Sequence, residues 1–112
     1  MTLARALALL PSRPESDEDV VAIMAVLARH PGEAFCVEDL SRRTGIPCDR
    51  AKRVLDALSA ALVLDCTDVG SYRYERDVAV ELELRSLSDR LRAHREHLQG
   101  NVVRFRLNRD RY

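Results

Sequence analysis

Residues 34–77, AFCVEDLSRRTGIPCDRAKRVLDALSAALVLDCTDVGSYRYERD, constrain this chain more than any other stretch. Ala34, Phe35 and Cys36 form a short extended piece. A helix then runs from about Val37 or Glu38 to Thr44, with Leu40 turned inward and Gly45 supplying a left-handed stop. Pro47 suits the first position of the next helix, residues 47–60. Ala51, Val54, Leu55 and Leu58 fall there at i, i+3, i+4 and i+7, the spacing of one buried stripe. Cys48, Asp49, Arg50, Lys52, Arg53 and Asp56 take the opposite face. Leu62, Val63 and Leu64 begin a strand, residues 68–71 form a turn, and Tyr72 and Tyr74 alternate with Arg73 and Glu75 on the return strand.

The flanks are simpler. Pro11 and Pro14 fence off the apolar opening TLARALALL, and a helix is expected from Ser16, where Ser-Asp-Glu-Asp places acids in the first turn. Val20, Ile23, Met24 and Leu27 carry its apolar face, and Pro31 and Gly32 end it. The expected layout is an apolar helix and linker over 1–16, a central domain over 17–77, a further helix over 78–99 and a basic tail over 100–112. The fold class is mainly α with a small β element, an α+β arrangement.

Composition narrows the options. A chain of 112 residues with 46% apolar and 32% charged residues is one domain with enough material for a core, and it is not disordered. No apolar run is long enough to span a bilayer, and Arg5 interrupts the opening where a signal peptide would keep its apolar centre. Three cysteines, 36, 48 and 66, make no disulfide framework, so a reducing cytoplasm is the expected location. Net charge is zero. Residues 34–77 hold seven bases against eight acids, while 78–112 hold eight arginines against five acids.

The CVEDL segment at 36–40, the Gly45-Ile46 turn, the VLDALSAALV run at 54–63 and Gly70 followed by Tyr72, Arg73 and Tyr74 together resemble the winged helix-turn-helix domains of small bacterial transcriptional regulators of the ArsR and MarR types. The likeness covers roughly residues 34–77. It implies that helix 47–60 enters the major groove of double-stranded DNA and that residues 68–74 form the wing. Arg50, Lys52 and Arg53 would meet phosphates or guanine edges, joined by Cys48. Arg42, Arg43 and Thr44 would lie on the backbone, with Ser71 and Arg73 in the wing. Asp49 and Asp56 flank these bases, so a solvated helix surface, or a winged-helix adaptor that binds another protein, is the competing reading. Charge placement separates the two. The DNA reading needs Arg42, Arg43, Arg50, Lys52, Arg53 and Arg73 in one exposed patch with Asp49 and Asp56 at its margin, and acids that break that patch favour the adaptor.

Val80, Leu84, Leu87, Leu91, His94 and Leu98 are spaced 4, 3, 4, 3, 4, a seam expected to form a homodimer. Two-fold symmetry would then place two recognition helices on adjacent grooves, and the protein would act as a repressor by occlusion. Beyond Gly100, Val103, Phe105 and Leu107 alternate with Arg104 and Arg106. An added strand, a basic arm on DNA and a docking segment for another protein all fit that pattern.

Neither a metal nor a cofactor is expected. Cys36 occupies the first place of the CxC pair that metal-sensing ArsR-like repressors carry, but Glu38 stands in the second. His94 and His97 are three apart, with only His94 on the seam, where a polar residue fixing register is the simpler role. Cys48, in the first turn of the recognition helix beside Arg50, is a possible redox switch, and Cys66 is expected to pack on its strand. No phosphate loop, dinucleotide fingerprint or nucleophile elbow is present, so catalysis is not expected.

Overall fold

A computed structural model describes residues 2–67 and 69–110, with side chains to residue 95. The elements are α1 (Leu3–Ala8), α2 (Pro14–Arg29), β1 (Ala34–Phe35), α3 (Val37–Thr44), α4 (Cys48–Ala60), β2 (Leu64–Cys66), β3 (Tyr72–Tyr74) and α5 (Val78–Asp110). The fold is mainly helical with one small antiparallel sheet of strand order β1-β3-β2, the expected α+β class.

Local chemistry sets most boundaries. α2 begins at Pro14, two residues before the expected Ser16. The fixed φ of proline suits a first helical turn, and Glu15 and Asp17 then lie at the positive end of the helix. After α2, Gly32 turns the chain with φ 83° and donates its N–H to the Tyr74 carbonyl at 2.8 Å, which anchors the bend to β3. α3 ends in a compact polar turn. Gly45 takes φ 78° and donates to the Ser41 carbonyl at 2.8 Å. The Thr44 hydroxyl donates to the Leu40 carbonyl at 2.7 Å and accepts from the Ile46 N–H at 3.3 Å, while Ser41 Oγ donates to the Ile46 carbonyl at 2.6 Å. Pro47 caps α4 rather than opening it. At the far end Leu62 adopts φ 62° and is exposed, so the strand starts at Leu64, later than expected.

The core is built where the stripes meet. Val20, Ile23, Met24 and Leu27 of α2 are fully buried against Leu40 of α3 and against Ala51, Val54, Leu55 and Leu58 of α4. The sheet closes one side, with Phe35 paired to Tyr72 and Leu64 paired to Tyr74. Cys66, opposite Tyr72, is exposed at the strand end and does not pack as expected.

Two features of the C-terminal half differ from what the spacing alone suggested. The seam helix packs on its own domain. Val80 and Leu87 are 1% and 4% exposed within the same core as α1 and α2, and Leu84 and Leu91 lie half-buried against that core. The sequence reading undercounted the apolar surface that α1 and α2 offer together, and that surface takes up the seam through Leu91. His94 is exposed, and Leu98 and His97 fall where side chains are outside the described residues. In addition, α5 runs without a break to Asp110, past residue 99 where the sequence reading ended the helix, so residues 101–110 are helical and not a strand. One interior glycine costs a helix only about 1 kcal/mol, too little to stop it by itself.

The first turn of α1 is clasped to α5. Thr2 caps α1 by accepting the Arg5 N–H, and the Glu83 carboxylate on α5 accepts the N–H groups of Leu3 and Ala4 at 3.2 and 3.3 Å. Leu3 and Ala6 are buried beneath this clasp.

Candidate functional site

α4 buries Ala51, Val54, Leu55 and Leu58 and therefore presents Cys48, Asp49, Lys52, Arg53 and Asp56 to solvent. α3 leads into it through the Gly45 turn, and the β2–β3 hairpin lies alongside. All the sequence-derived DNA-contact residues belong to these three elements and their turns, yet the structure gives them unequal freedom.

Arg50 departs furthest from expectation. Its Nε–H donates to Asp19 Oδ2 at 3.0 Å and its Nη2 to Oδ1 at 2.8 Å, a two-pronged fork between α4 and α2. Asp19 is the one buried acid among the described residues, with 8% of its surface exposed. The fork, and then the negative charge behind it, raise the Arg50 pKa above its already high ordinary value. Arg50 thus ties α4 to α2, a structural role that the sequence reading did not assign to it. A small cleft lined by Pro11, Arg13, Asp19, Arg50 and Arg53 marks the place.

The remaining cations are interleaved with acids. Arg42 and Arg43 share Asp39 at 3.5 and 3.4 Å, and the Arg43 guanidinium also sits 5.2 Å from the Phe35 ring centroid. Lys52 pairs with Asp56 at 3.2 Å one turn along α4. Arg73 lies between Asp65 at 3.7 Å and Glu75 at 3.5 Å. The acids therefore stand inside the basic patch, not at its margin. Among the described residues, Asp49 and Arg53 are the two charged side chains of α4 without an ion-pair partner.

Two expected contact residues serve the framework. Thr44 spends its hydroxyl on the α3–α4 turn, as described above. Ser71 closes the hairpin through its backbone: Thr67 N–H donates to the Ser71 carbonyl at 2.8 Å, and Ser71 N–H donates to Thr67 Oγ1 at 3.1 Å. Asp68, in the same turn, lies outside the described residues.

Tyr72 went unrecognised as a site residue. Its hydroxyl donates to Asp56 Oδ1 at 2.8 Å, so the hairpin is tied to the exposed face of α4 through the same carboxylate that holds Lys52. Burial, first, and the adjoining Asp56 carboxylate, second, push its pKa up to about 12. Tyr74 is also raised, chiefly by burial, with its hydroxyl against the Asp77 backbone.

Cys36, Cys48 and Cys66 are free and exposed, and Cys48 is the first residue of α4. Among the described residues no group of three or more His, Cys, Asp or Glu could hold a metal ion, and no helix is long and apolar enough to cross a membrane. Comparison of the chain with protein-family models, with characterised proteins and with solved structures gives no match, so the reading of this face rests on its own geometry.

Proposed function

We propose that residues 14–77 form a winged helix-turn-helix that presents α4 to the major groove of double-stranded DNA, and that the chain is a dimeric transcriptional regulator acting as a repressor by occlusion. One observation carries this reading. The order α2-β1-α3-α4-β2-β3, a left-handed glycine turn before α4 and a sheet ordered β1-β3-β2 accompany an exposed face of α4 beside the β2–β3 hairpin. B-DNA's major groove is wide enough to admit such a helix. Arg42, Arg43, Lys52, Arg53 and Arg73 are the cations around this face that phosphates can engage, with Arg50 holding α4 in place. The dimer reading is supported by the reach of α5. Its 33 residues extend about 50 Å, well past Arg95, which is paired to Glu18 of α2 at 3.6 Å. Three free thiols support a reducing cytoplasm as its location.

A protein adaptor is the second reading, favoured by the acids that interrupt the basic face. Fluorescence anisotropy with a mixed-sequence duplex separates them. With three phosphate contacts per protomer of a dimer, affinity falls about 10³-fold between about 50 and 200 mM salt. A folded protein that fails to bind at the lower salt leaves the adaptor reading standing.

A further inference from the structure

We propose that Asp49 and Arg53 are the base-reading pair of α4 and that together they select G·C base pairs. This inference rests on the DNA-binding reading above and adds to it which side chains supply specificity and for which bases.

The other charged groups on the helix are already engaged. Arg50 is forked to Asp19, and Lys52 and Asp56 are paired with each other, Asp56 also holding the Tyr72 hydroxyl. A base edge competes poorly for a donor or acceptor that must first abandon a partner in its own chain. Among the described residues Asp49 and Arg53 have no ion-pair partner to abandon, and both are exposed. They lie at i and i+4, so they project from one side of α4 about 6 Å apart along its axis, close to two base-pair steps.

Their chemistry is complementary to one kind of base pair. An ionised aspartate only accepts hydrogen bonds, and the acceptor-seeking edge in the major groove that suits it best is the N4 amino group of cytosine. Arginine only donates, and its fork matches O6 and N7 of guanine. An acid in this place also repels phosphate, so it weakens binding wherever no amino group meets it, and that makes Asp49 a discriminator. Because α4 and its approach through Arg50 are held by a fork of 2.8 and 3.0 Å, the two side chains are offered from a fixed platform.

The test is selection from a randomised duplex library with the wild-type protein, Asp49→Asn, Asp49→Ala and Arg53→Ala, followed by anisotropy on the enriched duplexes. Asp49 and Arg53 are exposed and without an ion-pair partner among the described residues, so unchanged helical circular dichroism is expected for all variants. Wild type should enrich a motif holding cytosine and guanine one or two positions apart on the strands read. Asp49→Ala should lose its cytosine preference by about 5- to 100-fold at that one position, and Asp49→Asn should move it to adenine, whose N6 and N7 suit an amide. Arg53→Ala should lose the guanine preference. If Asp49→Ala instead binds every duplex more tightly by one common factor, Asp49 acts only by repulsion and the inference is overturned while DNA binding stands. If wild type enriches no duplex and binds none at low salt, the DNA reading itself falls, and the base-reading pair with it.

Discussion

Replacing Leu87 by alanine asks whether the seam of α5 serves its own domain or a partner. Leu87 is 4% exposed and belongs to the cluster that includes Leu3, Val20 and Val80. Removing a buried leucine side chain to Cβ costs roughly 2–5 kcal/mol, depending on how far the neighbours collapse. Leu87 lies near the surface beside Leu3, Leu7 and Arg90, so partial relaxation is available and a value of about 2–3 kcal/mol is expected. For a chain of this size that is a melting temperature lower by about 10 °C, or a urea midpoint lower by about 1–2 M. Urea unfolding followed by circular dichroism, run at two protein concentrations a hundredfold apart, is the assay. The loss should be the same at both. Leu82, 60% exposed on the same helix, is the control, and its alanine variant should change stability by less than about 0.5 kcal/mol. A Leu87→Ala effect below that level, or one that shrinks at high concentration, would return the seam to an intermolecular role and refute the packing argument.

Tyr72 predicts an alkaline limit. Its folded pKa of about 12 lies above the ordinary 10.0, so the neutral phenol is the form the fold favours. That contribution, about 3 kcal/mol, is present below pH 10 and is lost as pH rises from there through 12. Chemical unfolding at stepped pH should show the decline, and Tyr72→Phe should abolish that part of it; an identical decline in the variant would assign it elsewhere. Arg50→Ala should lower the melting temperature by several degrees because Asp19 is left buried without its fork, and Arg50→Lys should not restore it, since a point charge cannot make both contacts. Arg53→Ala should leave melting unchanged, and equal melting of the Arg50 and Arg53 variants would show that the fork contributes nothing to stability.

The central elements were legible in the sequence because their signals are local. Apolar spacing marked α2 and α4, Gly45 marked the α3 stop, and alternation around Gly70 marked the hairpin. What escaped depends on distant partners. Asp19 and Arg50 are 31 residues apart, and nothing near Arg50 announces the fork. A signal did exist at the other end: Asp19, Ile23 and Leu27 are spaced by four, which puts an acid in line with the buried stripe of α2, where it must find a partner. The heptad spacing of α5 was visible, but spacing alone does not say which apolar surface covers it; α1, too short to be stable by itself, supplies part of that cover only once folded. The alternation beyond Gly100 misled because a short run of alternating residues fits both a strand and a helix. For the site, residue types on α4 were readable and their occupancy was not, since ion pairs to α2 and between strands are tertiary facts.

The clasp between Glu83 and the first turn of α1 has a kinetic consequence. α1 leaves the ribosome well before α5, yet both the carboxylate that holds its amide groups and the leucine that covers it lie about 80 residues later in the chain. Until α5 emerges, Leu3 and Ala6 have only α2 and α4 to rest on, and one flank of α2 stays uncovered. The nascent polypeptide therefore carries an open apolar side through most of its synthesis, and the closing contact is also among the most distant along the chain. Such a protein completes itself in one late step, and any chaperone that attends it has its work before residue 91 is free of the exit tunnel.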